Sequence, residues 1–133
     1  MQWNESYATG IPHLDQQHQA LFKAVAAMAA ALATDDGASE FERLLGFLSR
    51  YCREHFADEE GCMARYRCPS ANKNKQQHEG LLRMLAEHQR FLSAHGYDPH
   101  DAQMLVTSME HWLRSHLRGV DRELRHCVKA SRS

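Results

Sequence analysis

The chain has no apolar run near the ~20 residues that a membrane-spanning helix requires. Its opening, MQWNESYATGIPHLDQQH, lacks the basic segment and apolar block of a secretory signal. Lys plus Arg total 16 against 17 for Asp plus Glu, with no long basic run, so nucleic-acid binding has no electrostatic footprint. Cys52, Cys62, Cys68 and Cys127 form neither a C-x-x-C pair nor a zinc-ribbon spacing. Without an export signal they read as reduced packing residues of a cytoplasmic protein. Cys62 and Cys68 are the pair that proximity in sequence would let oxidise, although spacing alone gives that little support. β-branched residues are few and scattered, so no strand pattern emerges.

What is present favours helix. The 133 residues are 43% hydrophobic, enough for one domain with a real core. Ala, Leu, Glu, Gln, Arg and Met dominate. Breaks fall at Thr34-Asp35-Asp36-Gly37, Arg67-Cys68-Pro69-Ser70 and His95-Gly96-Tyr97-Asp98-Pro99. They divide four helices, expected over roughly 15–33, 38–65, 70–94 and 99–118, each with an apolar stripe at three- and four-residue spacing. Short links between long amphipathic helices predict an all-α, antiparallel up-down-up-down four-helix bundle. Residues 1–14 form an extended arm in this reading, 15–118 the bundle, and 119–133 a terminal segment with a short helix over 120–129. No internal repeat is apparent.

Each stripe is interrupted by a polar side chain. His55 and Glu59 stand four residues apart within RLLGFLSRYCREHFADEEGCM and project from one face. Burying an imidazole and a carboxylate without a partner is costly, and a metal ion would satisfy both. Taken alone, the pair is equally compatible with a helical hydrogen bond, and a lone core histidine is more often hydrogen-bonded than metal-bound. His18, His78 and His116 interrupt the other three stripes. In an antiparallel bundle the starts of the first and third helices lie beside the ends of the second and fourth. All four histidines then reach one end of the core at similar depth. Asp121 follows His116 by five residues, roughly 140° around an α-helix, so both face the core only if the chain is distorted. A helix ending or loosening near Gly119, within 117–121, is expected to swing Asp121 back toward the site.

This ordered set resembles the hemerythrin family in its bacterial single-domain form. The resemblance spans nearly the whole chain: the arm with Trp3, Tyr7 and Gly10-Ile11, then Asp15-Gln16-Gln17-His18, His55-Phe56-x-x-Glu59, His78, and His116-x-x-x-x-Asp121. H-x-x-x-E alone is a weak signal; the ordered set is specific. The resemblance implies a four-helix bundle around two iron ions, a non-haem diiron centre with an oxo or hydroxo bridge, that binds dioxygen reversibly. It implies that Glu59 and Asp121 bridge the irons, with His18 and His55 on one and His78 and His116 on the other. One position departs. The family usually carries two histidines four apart on the third helix, and here the first of them is Asn74. An amide oxygen is a poorer iron ligand than imidazole, so Asn74 is a weak ligand or a neighbour of the metals. His88 lies ten residues past His78, about 15 Å along the axis, and does not substitute.

The expected function is oxygen storage, delivery or scavenging, with dioxygen as ligand, NO or peroxide as further candidates, and no enzymatic turnover. Two alternatives stand beside it. One is a sensor of O2, NO or redox state read by a protein partner. The other is a peroxidase or oxidase using the labile iron position left by Asn74. A monomer is expected, since no heptad seam lies on an outer face. Trp112 is expected beside the site as a pocket wall. His13, His95, His100, His111 and His126 read as surface or loop residues, and Asp58 and Glu60 as solvated neighbours of Glu59. Glu123-x-x-His126 has a ferritin-like spacing, but in a single copy.

Overall fold

Local chemistry accounts for several of the helix ends. Pro12 and Pro99 occupy first helical positions, where a missing N–H costs nothing. The Asp98 side chain caps the latter start by accepting from the Asp101 N–H at 3.3 Å. At the other end of the preceding helix, Gly96 takes a left-handed φ of 78° and donates to Leu92 O at 2.8 Å. Gly37 serves a different purpose. A Cβ there would stand 1.8 Å from Ala31 O, so only glycine lets the second helix begin against the end of the first.

The computed structural model describes residues 2–132, without the side chains of Val120, Asp121 and Arg132. Its helices are α1 (Pro12–Ala31), α2 (Gly37–Arg65), α3 (Ala71–His95), α4 (Pro99–His116) and α5 (Arg122–Arg132). No strand occurs among the described residues, and no helix is long and apolar enough to cross a membrane. α1 and α3 each pack against both α2 and α4, closing the four into a bundle. The predicted stripes are the buried faces. On α2, Phe41, Leu44, Leu45, Leu48, Cys52, His55, Glu59 and Met63 are all buried.

Two expectations need correction, and a third is met. The arm is shorter and more structured than 1–14: a 3-10 turn spans Glu5–Tyr7, and α1 already begins at Pro12. Asn4 accepts from Ser6 N at 2.9 Å, and Thr9 donates through N and Oγ1 to Asp15 Oδ1 at 2.8 and 2.9 Å, pinning the arm to α1. The distorted segment expected at 117–121 is present: the chain loosens there into a π-turn over Leu117–Asp121 and runs on into α5, and Gly119 has no positive φ. Finally, Cys68 and Cys127 are not free thiols. They form a disulfide joining the α2–α3 turn to α5. Cys52 and Cys62 are free; burial pushes the Cys52 thiol up to about 12.

Apolar packing falls into two clusters. The larger draws on α1 to α4 and includes Leu21, Met28, Leu48, Cys52, Phe56, Leu85, Leu105 and Leu113. The smaller, at the α5 end, joins Leu14, Met63, Cys68, Leu124 and Val128. Along α2, Cys52 and Phe56 belong to the first and Met63 to the second, so His55 and Glu59 occupy a polar layer between them.

Candidate metal centre

Glu59 is fully buried, one turn of α2 beyond His55. Its Oε2 lies 2.9 Å from His18 Nε2 and 3.1 Å from His55 Nε2. Its Oε1 lies 3.0 Å from His78 Nε2 and 3.2 Å from His116 Nε2. One carboxylate thus faces two imidazoles with each oxygen. His18 stands early in α1, His55 late in α2, His78 early in α3 and His116 at the end of α4. Starts meet ends because neighbouring helices run in opposite directions.

The outward nitrogens decide what the inward ones can do. His55 Nδ1 donates to Gln17 Oε1 at 2.7 Å. That amide is oriented by its own Nε2, which donates to Asp58 Oδ2 at 2.8 Å. His116 Nδ1 donates to Gln77 Oε1 at 2.7 Å, and His78 Nδ1 to Glu60 Oε2 at 3.0 Å. In a neutral imidazole a protonated Nδ1 leaves Nε2 as a bare acceptor. Lone pairs of His55, His78 and His116 therefore point at a carboxylate that is itself an acceptor. His78 and His116 also bring their Nε2 atoms within 3.2 Å of each other. His55 Nε2, at zero exposure, makes no hydrogen bond. Acceptors converging in a dry core are satisfied by cations.

With no cation between them the rings must instead turn protonated Nε2–H groups to Glu59: burial disfavours its charge, but hydrogen bonds from His116, His18, His55 and His78 prevail and hold its carboxyl well below the usual carboxylate range. Burial likewise pushes the His55 imidazole down against the pull of Glu59, which favours the neutral, ligating form. Two buried donor groups result: His18, His55 and Glu59, and Glu59, His78 and His116. Each is a two-histidine, one-carboxylate set, the donor chemistry that suits non-haem iron. The residues present fit two such ions sharing Glu59.

Aromatic rings wall the second group. Phe56 stacks on His78 with centroids 3.8 Å apart, and Trp112 on His116 at 4.4 Å. Trp112 thus stands beside the cluster, and Phe56, which the sequence does not mark as a wall, does too. Asn74, one turn before His78 on α3, is fully buried, and neither its Oδ1 nor its Nδ2 has a hydrogen-bond partner. The Asp121 side chain lies outside the described residues. A π-turn, with its hydrogen bonds five residues apart, does bring backbone positions 116 and 121 toward one register. His88 pairs instead with Asp101, Nδ1 to Oδ2 at 3.0 Å, away from this cluster.

Sequence reasoning missed the outer partners. Asp58 and Glu60 are not merely solvated: one orients Gln17 and the other His78. A signal existed. Gln16-Gln17-His18 recurs as Gln76-Gln77-His78, and in each copy the Gln next to the histidine supports the imidazole of the neighbouring helix. This tripeptide is the exception to the expected absence of an internal repeat.

The chain matches the family described as Hemerythrin HHE cation binding domain over residues 9–125. It is 30% identical over 128 residues to a bacteriohemerythrin of Stenotrophomonas maltophilia (strain R551-3), covering 96% of this chain and 81% of that protein. It is 31% identical over 119 residues to a myohemerythrin of Riftia pachyptila, covering 90% of this chain and 86% of that one.

Proposed function

The chain belongs to the hemerythrin family, and from that membership we propose that it is an oxygen-binding protein with two iron ions in the polar layer of its bundle. The observation that carries this reading is Glu59, each oxygen of which faces two imidazole Nε2 atoms. In the proposed assignment His18 and His55 hold one ion, His78 and His116 the other, and Glu59 spans both. Asp121, brought toward the register of His116 by the π-turn, is proposed as the second bridge. Bound ferrous iron supplies the electrons on which reversible dioxygen binding draws.

The chain's own residues do the rest. Gln17, Gln77 and Glu60 keep protons on the outward nitrogens, so the ligating nitrogens need not be deprotonated or turned when metal arrives. Phe56 and Trp112 shield the second half from water, and the two apolar clusters close the layer above and below. A dry wall of this kind slows loss of an oxidised ligand and favours storage, delivery or scavenging. One observation favours a second reading, a peroxidase or oxidase. The Asn74 amide, buried without a hydrogen bond, leaves that half with two imidazoles and a labile position.

The test is metal analysis with an optical spectrum. Anaerobically loaded protein should carry two irons per chain and develop a visible band in air that vanishes when oxygen is removed, over repeated cycles. Fewer than two irons in fully loaded protein would sink the dinuclear assignment. Irreversible bleaching, with steady peroxide consumption in the presence of a reductant, would move the conclusion to the enzyme.

A further inference from the structure

Where the N-terminal arm packs on the π-turn, a pocket of about 410 Å³ opens, lined by Ser6, Tyr7, Arg118, Arg122 and Arg125. The three arginines recur at four- and three-residue intervals, so they stand along one side of the helical rod. Like charges at such spacing repel, and among the described residues none of the three pairs with a carboxylate. Arg43 on α2 shows the ordinary alternative, a surface cation matched by Glu40 on its own helix. The imbalance extends along the segment. Residues 114–132 carry Arg114, Arg118, Arg122, Arg125, Lys129 and Arg132 against Asp121 and Glu123, in a chain whose net charge is −1.

The opposite wall is built, not loose. Tyr7 is buried and stacks on Phe22 with centroids 5.6 Å apart. Asn4 accepts from both the N–H and the hydroxyl of Ser6, and the Thr9–Asp15 bonds anchor the arm behind it. Guanidinium groups present forked donors that match phosphate oxygens two at a time. Three of them around one pocket suit a multiply charged oxyanion better than a single carboxylate, and the volume lies in the range of small-molecule sites.

We propose that this pocket binds a di- or polyphosphate, either inorganic or the phosphate tail of a nucleotide. The proposal does not depend on the iron assignment, because the pocket contains none of the residues of the Glu59 cluster.

Iron-loaded full chain is titrated calorimetrically at low salt with inorganic pyrophosphate and, separately, with ADP. The expected result is saturable one-to-one binding that weakens about tenfold, equivalent to about 1.4 kcal/mol, in each of Arg122→Gln and Arg125→Gln. Lys129→Gln, exposed and outside the pocket, should bind like the parent. Amide exchange should slow in 2–10 and 117–126. Tighter binding of ADP than of pyrophosphate identifies the nucleotide source, and equal binding the inorganic one. No saturable binding of either probe overturns the proposal. Equal weakening by Lys129→Gln also overturns it, since that is diffuse attraction to a basic face. So does binding that shifts the visible absorption and ignores both arginine variants, since that places the anion on the metals.

Discussion

Gln17 and Gln77 show how much of the proposed metal site lies beyond its ligands. Each hands a carbonyl oxygen to an imidazole on the neighbouring helix at 2.7 Å and so fixes which nitrogen faces Glu59. Removing such a partner typically costs ~10–100-fold in metal affinity. Gln77→Leu should lose iron to a competing chelator at concentrations lower by about that factor, with its helical circular dichroism intact; an unchanged competition curve would show that Gln77 only fills space. Asn74→His is the complementary change, since it adds the imidazole that this chain lacks. Oxygenated Asn74→His should autoxidise several-fold more slowly than the parent. Equal rates would show that the amide has no part in tuning the centre. These contributions were hard to read from single residues because their meaning depends on a partner about forty positions away. The paired Gln-Gln-His tripeptides were the visible trace.

At the scale of elements, the last helical rod carries the departures from regularity. A five-residue offset between His116 and Asp121 is incompatible with one face of an α-helix, and the chain answers with a π-turn over the segment where distortion is expected. Of the two expected forms, ending or loosening, the chain takes the loosening: widening one turn shifts the register without breaking the rod. α5 then buries Leu124 and Val128 in the smaller cluster, and Cys127 ties it to Cys68 across a separation of 59 residues. A loop of that length corresponds to about 4 kcal/mol in the chain-entropy account. Reduction, or Cys127→Ser, should lower the urea midpoint accordingly and bring forward amide exchange in α5. A midpoint indifferent to reductant would mean that Leu124 and Val128 hold the helix unaided. No local pattern announces this bond, since neither cysteine sits in a recognisable pair and only the return of α5 onto the α2–α3 turn brings them together.

On the scale of the whole molecule, a polar layer divides the core, and unlike an apolar layer it stabilises only when its acceptors are satisfied. Metal binding is therefore coupled to folding. With free metal a hundredfold above its dissociation constant, the native state gains about 2.7 kcal/mol. For a chain of this size that corresponds to about 10 °C in melting temperature. Stripping the iron should lower the calorimetric midpoint by about that amount, and adding ferrous iron back under anaerobic conditions should restore it. An identical midpoint with and without iron would mean that the layer is satisfied by protons alone.

By itself the sequence determined the all-helical class and the buried stripes, and it put His18, His55, Glu59, His78 and His116 on those stripes. Each of these rests on periodicity along one helix or on the order of motifs, and both are local or topological properties. The tertiary structure decided the rest: that each Glu59 oxygen faces two imidazoles, that Gln17, Gln77 and Glu60 orient the His55, His116 and His78 rings, that Cys68 meets Cys127, and that three arginines without a carboxylate partner among the described residues border one pocket. Those features are distances between separate elements. They appear only once the helices have packed, because packing alone fixes which side chains share a face of the interior.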